Sequence, residues 1–198
     1  LGSFAGRANT TGSNNSFVGS NAGQANATGA FNSFIGAGAG FTHSASNNTF
    51  VGADAGRFNT VGANNTFLGK GAGQDNTSGE LNVFIGTNAA NSNTVGRLNT
   101  VIGAEADLVG TNLQYATAIG AEATVNTSNT VVLGRAVDTV RIPGNINVLG
   151  TLSAANLNVQ ATNITGVVGV QNGGTGLQSA GTAGRFLRSN GTVWASEP

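Results

Sequence analysis

An apolar residue followed by glycine recurs along most of the chain at a near-constant step, and this period restricts the fold more than any other feature. The pair occurs as Leu1-Gly2, Val18-Gly19, Ile35-Gly36, Val51-Gly52, Leu68-Gly69, Ile85-Gly86, Ile102-Gly103, Ile119-Gly120 and Leu133-Gly134. The steps are 17, 17, 16, 17, 17, 17, 17 and 14 residues. Four residues after each of the first eight apolar positions stands an alanine, from Ala5 and Ala22 through Ala39, Ala55, Ala72, Ala89 and Ala106 to Ala123. Ahead of the pair come Phe17, Phe34, Phe50, Phe67 and Phe84, then Val101, Ala118 and Val132. Self-similarity at such a period marks a repeat architecture in which each unit stacks on the next.

Each unit reads as a short strand between two turns. Asn48 to Gly52 and its equivalents are rich in β-formers. One turn is Gly-x-x-Ala-Gly, as in Gly69 to Gly73, where glycine permits positive φ. The other is Asn-x-x-Gly, as in Asn9 to Gly12, Asn26 to Gly29, Asn59 to Gly62 and Asn76 to Gly79, a type I turn preference. Strands this short need neighbours, so successive coils must stack about 4.8 Å apart. About eight coils make a β-solenoid segment of roughly 38 Å. Equivalent asparagines (Asn15, Asn32, Asn48, Asn65, Asn82 and Asn99) then fall one rung apart, where they can pair amide to amide along the axis. Because they coincide with the bends, internal turn satisfaction is expected rather than a row that binds glycan or ice.

Composition agrees and removes other classes. The 198 residues include 32 glycines, two prolines and no cysteine or methionine, with 8% charged residues. Glycine without a three-residue period excludes collagen. Glycine and asparagine in every window exclude a helical bundle. No run of about 18 apolar residues exists to cross a membrane as a helix. Eight basic against eight acidic residues leave no footprint for nucleic acid. Disulfides and cysteine metal sites are impossible.

Adjacent strand residues such as Phe50 and Val51 point to opposite faces. One column fills the coil, and the other is left as an apolar stripe larger than a monomer tolerates in water. The two candidates are Phe17, Phe34, Phe50, Phe67, Phe84 and Val101 against Val18, Ile35, Val51, Leu68, Ile85, Ile102, Ile119 and Leu133. Association of identical chains about a common axis would cover whichever column faces out.

The run Tyr115 to Ala123 and the run Ser128 to Gly134 resemble the head repeats of YadA-like trimeric autotransporter adhesins. The 17-residue units with Asn-Thr-Phe-Val-Gly resemble the same repeat in phage tail fibres and bacterial surface fibres. The resemblance covers residues 1 to about 142 and implies an all-β trimeric left-handed parallel β-roll. It also implies a homotrimer placed outside the cell, on a cell surface or on a virion tail fibre. The phenylalanine column is bulkier than the Val or Ala more usual in adhesin heads, so inter-chain packing is expected to differ in detail.

Beyond Arg141 the period is lost at Ile142-Pro143-Gly144. Residues 143–166 read as an extended, intertwined β stem, with strands over Asn145 to Leu152 and Leu157 to Gln160. Residues 167–198 read as a Gly/Ser/Thr-rich connector. Gly173 to Leu177 and Gly184 to Trp194 resemble linkers between tail-fibre modules, and Trp194 is expected to pack against a further module. The chain opens inside a repeat and ends on Ala-Ser-Glu-Pro, so a longer protein with a tip or chaperone domain is expected.

Candidates for chemistry are few. His43, the sole histidine, stands where other coils carry the turn asparagine and is expected to face solvent. Gly36 to Gly40 resembles a dinucleotide loop but lacks the helix that gives such a loop its mechanism. Gly69-Lys70 lacks a phosphate loop's spacing. The sequons at Asn9 and Asn26 follow from repeat composition. Glu105 and Glu122 share a column on adjacent rungs with Asp107 nearby, a possible site for a hard cation, unless Arg135 relieves their repulsion. No catalytic residue and no cofactor are expected.

The leading expectation is a structural and adhesive segment of an extracellular fibre that presents a receptor-binding tip to a glycan or protein on a target cell. A tail-spike glycan depolymerase is the enzymatic alternative. An ice-binding solenoid is the third, weakened because Ser16, Ser33 and Val83 interrupt the threonine column of Thr49, Thr66 and Thr100.

Overall fold

The computed structural model describes residues 2–151, 186–189 and 194–197. The chain divides into two units, residues 1–143 and 144–198. No described residue is helical. In the first unit, strands β1 (Ser16–Val18), β2 (Ser33–Ile35), β3 (Thr49–Val51), β4 (Thr66–Leu68) and β5 (Val83–Ile85) are followed by β6 (Thr100–Ile102). Then come β7 (Asp107–Leu108), β8 (Thr117–Ile119), β9 (Thr124–Val125) and β10 (Val131–Leu133). Eight of them form one parallel sheet in the order β1-β2-β3-β4-β5-β6-β8-β10, and β7 pairs with β9 in a second, two-stranded sheet. Equivalent residues pair, Phe50 with Phe67 and Val51 with Leu68, so the register is that of the sequence repeat. The unit is a β-solenoid with one repeat per coil.

The aromatic column faces inward. Phe34, Phe50, Phe67 and Phe84 have no exposed surface. Their rings stack with centroids 4.8 Å apart and planes within 8° of parallel. Phe17 continues the stack at 5.3 Å. The separation equals the spacing of the backbone rungs, so ring stacking and ladder pairing are satisfied by the same translation. The narrow coil allows the ring only if the turn opposite gives way. Gly73 has φ +57°, and a Cβ there would approach the Phe67 ring to 2.6 Å. Where the column shrinks to Val101 and Ala118, the equivalent turn positions become Asp107 and Thr124. The next residues, Leu108 and Val125, turn inward and are buried. Interior volume is kept by exchanging one wall for the other.

Glycine after the strand has a separate cause. A Cβ on Gly19 would sit 2.5 Å from the carbonyl oxygen of Gly36 on the next coil, so the bend leaves no room for a side chain.

The asparagine ladder satisfies the bends internally, mainly through backbone partners rather than amide to amide. The Oδ1 of Asn15, Asn32, Asn48, Asn65, Asn82 and Asn99 accepts from the backbone N–H of the equivalent residue one coil on, at 2.9–3.0 Å. The Nδ2 of Asn65 donates to Gly79 O at 2.8 Å, and that of Asn82 to Gly96 O at 2.8 Å. These asparagines precede the strands, where the chain bends and the N–H would otherwise be buried without a partner. Asn-x-x-Gly turns are likewise closed by side chains, with Asn26 Nδ2 donating to Gly29 O and Gly62 N to Asn59 Oδ1.

His43 is buried, not solvent-facing. It replaces an inward-pointing asparagine in the one 16-residue coil, which lacks the turn glycine. Its Nε2 lies 2.9 Å from Ala45 O and 3.0 Å from Asn48 Nδ2, and its ring stands edge-on to Phe34 and Phe50. The column position, not the residue's polarity, sets its burial.

In the second unit, β11 (Phe186–Ser189) and β12 (Trp194–Glu197) form an antiparallel pair. Residues 145–151 form no strand within the single chain. Alternating apolar and polar residues make an extended segment, but a strand also needs a neighbour for its backbone. The strand read over Leu157 to Gln160 and the connector motif at Gly173 to Leu177 lie outside the described residues.

Two outcomes follow. Phe67→Ala removes a ring held between two others and should lower unfolding stability by about 3–5 kcal/mol, measured by urea denaturation. Burial pushes the His43 imidazole down from 6.5 to about 4, against hydrogen bonds from Ala45 and Asn59 that favour the proton. Above about pH 6.5 the ring is neutral in both states. As pH falls from 6.5 towards 4 the unfolded chain takes up the proton first, so stability drops by about 3 kcal/mol and then levels off. His43→Asn, which restores the repeat's own residue, should abolish this extra loss between pH 7 and pH 4.

Candidate functional site

With the rings inside, the other strand residues form an outer sheet face. Val18, Ile35, Leu68, Ile119 and Leu133 remain 39–47% exposed, and Val51, Ile85 and Ile102 are half-buried in the same column. Stacking at the rung spacing makes this one apolar line across all eight strands, roughly 34 Å long. Beside it runs a column of hydroxyls, Ser16, Ser33, Thr49, Thr66, Thr100 and Thr117, broken by Val83 and Val131. No charged side chain stands in either column. The ambiguity over which column faces out is thereby removed: Phe17, Phe34, Phe50, Phe67, Phe84 and Val101 are core, and the aliphatic set is surface.

A third column was not anticipated from sequence. At the corner entering each strand one residue adopts left-handed backbone: Asn14, Asn47, Asn64 and Asn129, but also Phe31 (φ 58°), Leu81 (φ 59°), Leu98 (φ 58°) and Tyr115 (φ 52°). Asparagine tolerates this conformation, whereas a bulky side chain there costs about 1–2 kcal/mol. Phe31 is 61% exposed and Tyr115 56% exposed, so neither recovers that cost by burial in its own chain. The signal in the sequence is the residue two before the strand, where the Asn of Asn-Asn-Thr gives way to an apolar one.

The acidic candidates are drawn to different neighbours. Glu122 is paired with Arg135 at 3.2 Å, and Arg135 also holds Asp138 at 3.1 Å. Hydrogen bonds from Arg135 keep the Asp138 carboxyl below its usual range. Asp107 instead accepts from the Ser92 N–H and hydroxyl on the preceding coil and from Leu108 N–H at 2.8 Å. Glu105 keeps its place in the column, at φ 57° on the turn. Among the described residues no three His, Cys, Asp or Glu side chains are grouped to hold a metal ion.

On the wall away from the sheet, Arg7, Ala8, Gln24, Ala25 and Phe41 line an open groove of about 320 Å³. Arg57 lies over the rings of Phe41 and Phe58 at 5.3 and 5.6 Å, and Arg7 over Phe4 at 5.1 Å. Arg57 is also paired with Asp54. These contacts place guanidinium groups against aromatic faces on the coil surface.

No described helix is long and apolar enough to cross a membrane. No protein-family profile, curated protein or solved structure matches the chain at a significant level.

Proposed function

We propose that this chain is a structural segment of a trimeric extracellular fibre, a left-handed β-roll that extends or presents a receptor-binding tip for attachment to a cell surface. The observation that carries the reading is the uncharged aliphatic column on the outer face of the eight-stranded sheet. Covering such a half-exposed side chain contributes about 1 kcal/mol, and a column repeated on every rung multiplies that gain along the axis. A second copy of the same sheet has the same period, so rung meets rung for the whole length. Three copies around one axis close the contact and leave no copy with an uncovered face.

Exposed apolar residues past the last coil agree with this assembly. Val137 is 82% exposed, and Val140 and Ile142 are each 52% exposed. The fibre's role is mechanical: coils joined by backbone ladders resist bending, and three chains present whatever they carry in triplicate. The number three and the hand follow the resemblance to adhesin heads and tail fibres. The ligand of the fibre belongs to the tip rather than to these coils.

Light scattering on the purified chain tests the reading and should give three times the chain mass. Ile85→Lys with Ile102→Lys places charges in the seam and should yield single chains that keep the β-sheet circular dichroism. A wild-type protein at the mass of one chain would overturn the proposal. A doubly substituted protein that stays trimeric would move the seam off this face.

A further inference from the structure

The strained corner residues are distributed unevenly along the solenoid. Leu81, Leu98 and Tyr115 occupy the left-handed corner on three consecutive coils, whereas Asn47 and Asn64 hold it on the two coils before and Asn129 on the coil after. Leu81 is 42% exposed, Leu98 half-buried and Tyr115 56% exposed. Within a single chain, asparagine would serve better at each on both counts, because it accepts the left-handed backbone and leaves no apolar surface in water. The sequence departs from its own repeat here against both local preferences.

The departure is continuous with the aliphatic column. On the coil of Leu81, the hydroxyl position is taken by Val83, which is half-buried. Leu81, Val83 and Ile85 thus form an apolar band across the outer face, from the corner to the column. The aliphatic column is a single line of half-exposed side chains, a narrow contact set against the roughly 800 Å² per partner typical of a stable interface. The corner patch widens it. We infer that Leu81, Leu98 and Tyr115 form a second line of contact with an adjoining copy of this chain, at the edge of the outer sheet face. This rests on the trimeric reading above. In a ring of three, each contact is head-to-tail, so one edge of a face meets the opposite edge of its neighbour. The corner patch borders one edge and is placed for that contact. The same coils carry the Arg97–Glu80 pair at 3.8 Å beside the patch, a polar margin of the kind that rims an apolar contact.

The test is the triple variant Leu81→Asn, Leu98→Asn, Tyr115→Asn, made in the wild-type chain and again with Ile85→Lys and Ile102→Lys. Asparagine already occupies this corner in four coils, so the fold accommodates it. Sedimentation over a concentration series should show the triple variant dissociating at a concentration at least tenfold higher than wild type. In the background of single chains the same three substitutions should raise the melting temperature, because strain is relieved and no contact is lost. An assembled wild type whose triple variant holds together as tightly and melts higher would overturn this inference and leave the trimer intact. A wild type that is already a single chain would remove the trimeric reading and this inference with it.

Discussion

The translation between adjacent coils is the constraint on which everything else depends. Parallel backbone pairing sets the spacing, and in-register repeats then bring each side chain over its own equivalent. The Phe34-Phe50-Phe67-Phe84 stack exists because flat rings tolerate that spacing with their planes nearly parallel. Asparagine ladders work because an amide can reach the N–H one rung away. Glycine is retained after each strand because the same translation brings a carbonyl oxygen to where a Cβ would lie. A change of step is therefore a local event with a local remedy. The 16-residue coil loses its turn glycine, and His43 and Asn48 re-form the closure through Ala45 O and Ser46 O.

Inside and outside follow different rules. Interior positions answer to volume, and the chain balances a small residue on one wall with a large one on the other, as Leu108 and Val125 do opposite Val101 and Ala118. Outer positions are not set by volume. Ile35 and Leu68 gain little from their own coil, and Tyr115 is held in an unfavourable backbone conformation while exposed. Neither is explained by the stability of a single solenoid. The proposed neighbouring copy would account for both, and for that reason the proposal rests on the outer sheet face and not on the acidic column or the groove at Arg7.

Most of the architecture was legible in the sequence, because a period of 17 residues with two turns leaves few folds. The period located strands at Thr49–Val51 and Thr66–Leu68 and the alanine column behind them. It could not say whether Phe50 or Val51 points inward, since alternation separates two faces without assigning them. That choice depends on which column a narrow coil can hold, and the glycine opposite Phe67 answers it only once the turn is seen folded back on the ring. His43 was misread because residue polarity was weighed above column position. The asparagines' role at the bends is legible from their position, whereas their partner, a backbone N–H one rung on, is not. Left-handed backbone at Leu81, Leu98 and Tyr115 has no signature in the residue types themselves; it shows only by comparison with the asparagines that hold the same corner elsewhere. Alternation over residues 145–151 marks an extended segment, and pairing there depends on a neighbouring strand that the alternation does not itself supply.

The absence of cysteine from the sequence provides the most direct test of the claim that copies meet through the outer sheet face. Ile85→Cys introduces a single thiol on the aliphatic column, and Ala25→Cys places one on an exposed coil position midway in sequence between two strands of the sheet. Under mild oxidation at low protein concentration, rapid disulfide-linked dimers at position 85 and none at position 25 are the expected result. Equal or negligible cross-linking at both positions would contradict the account.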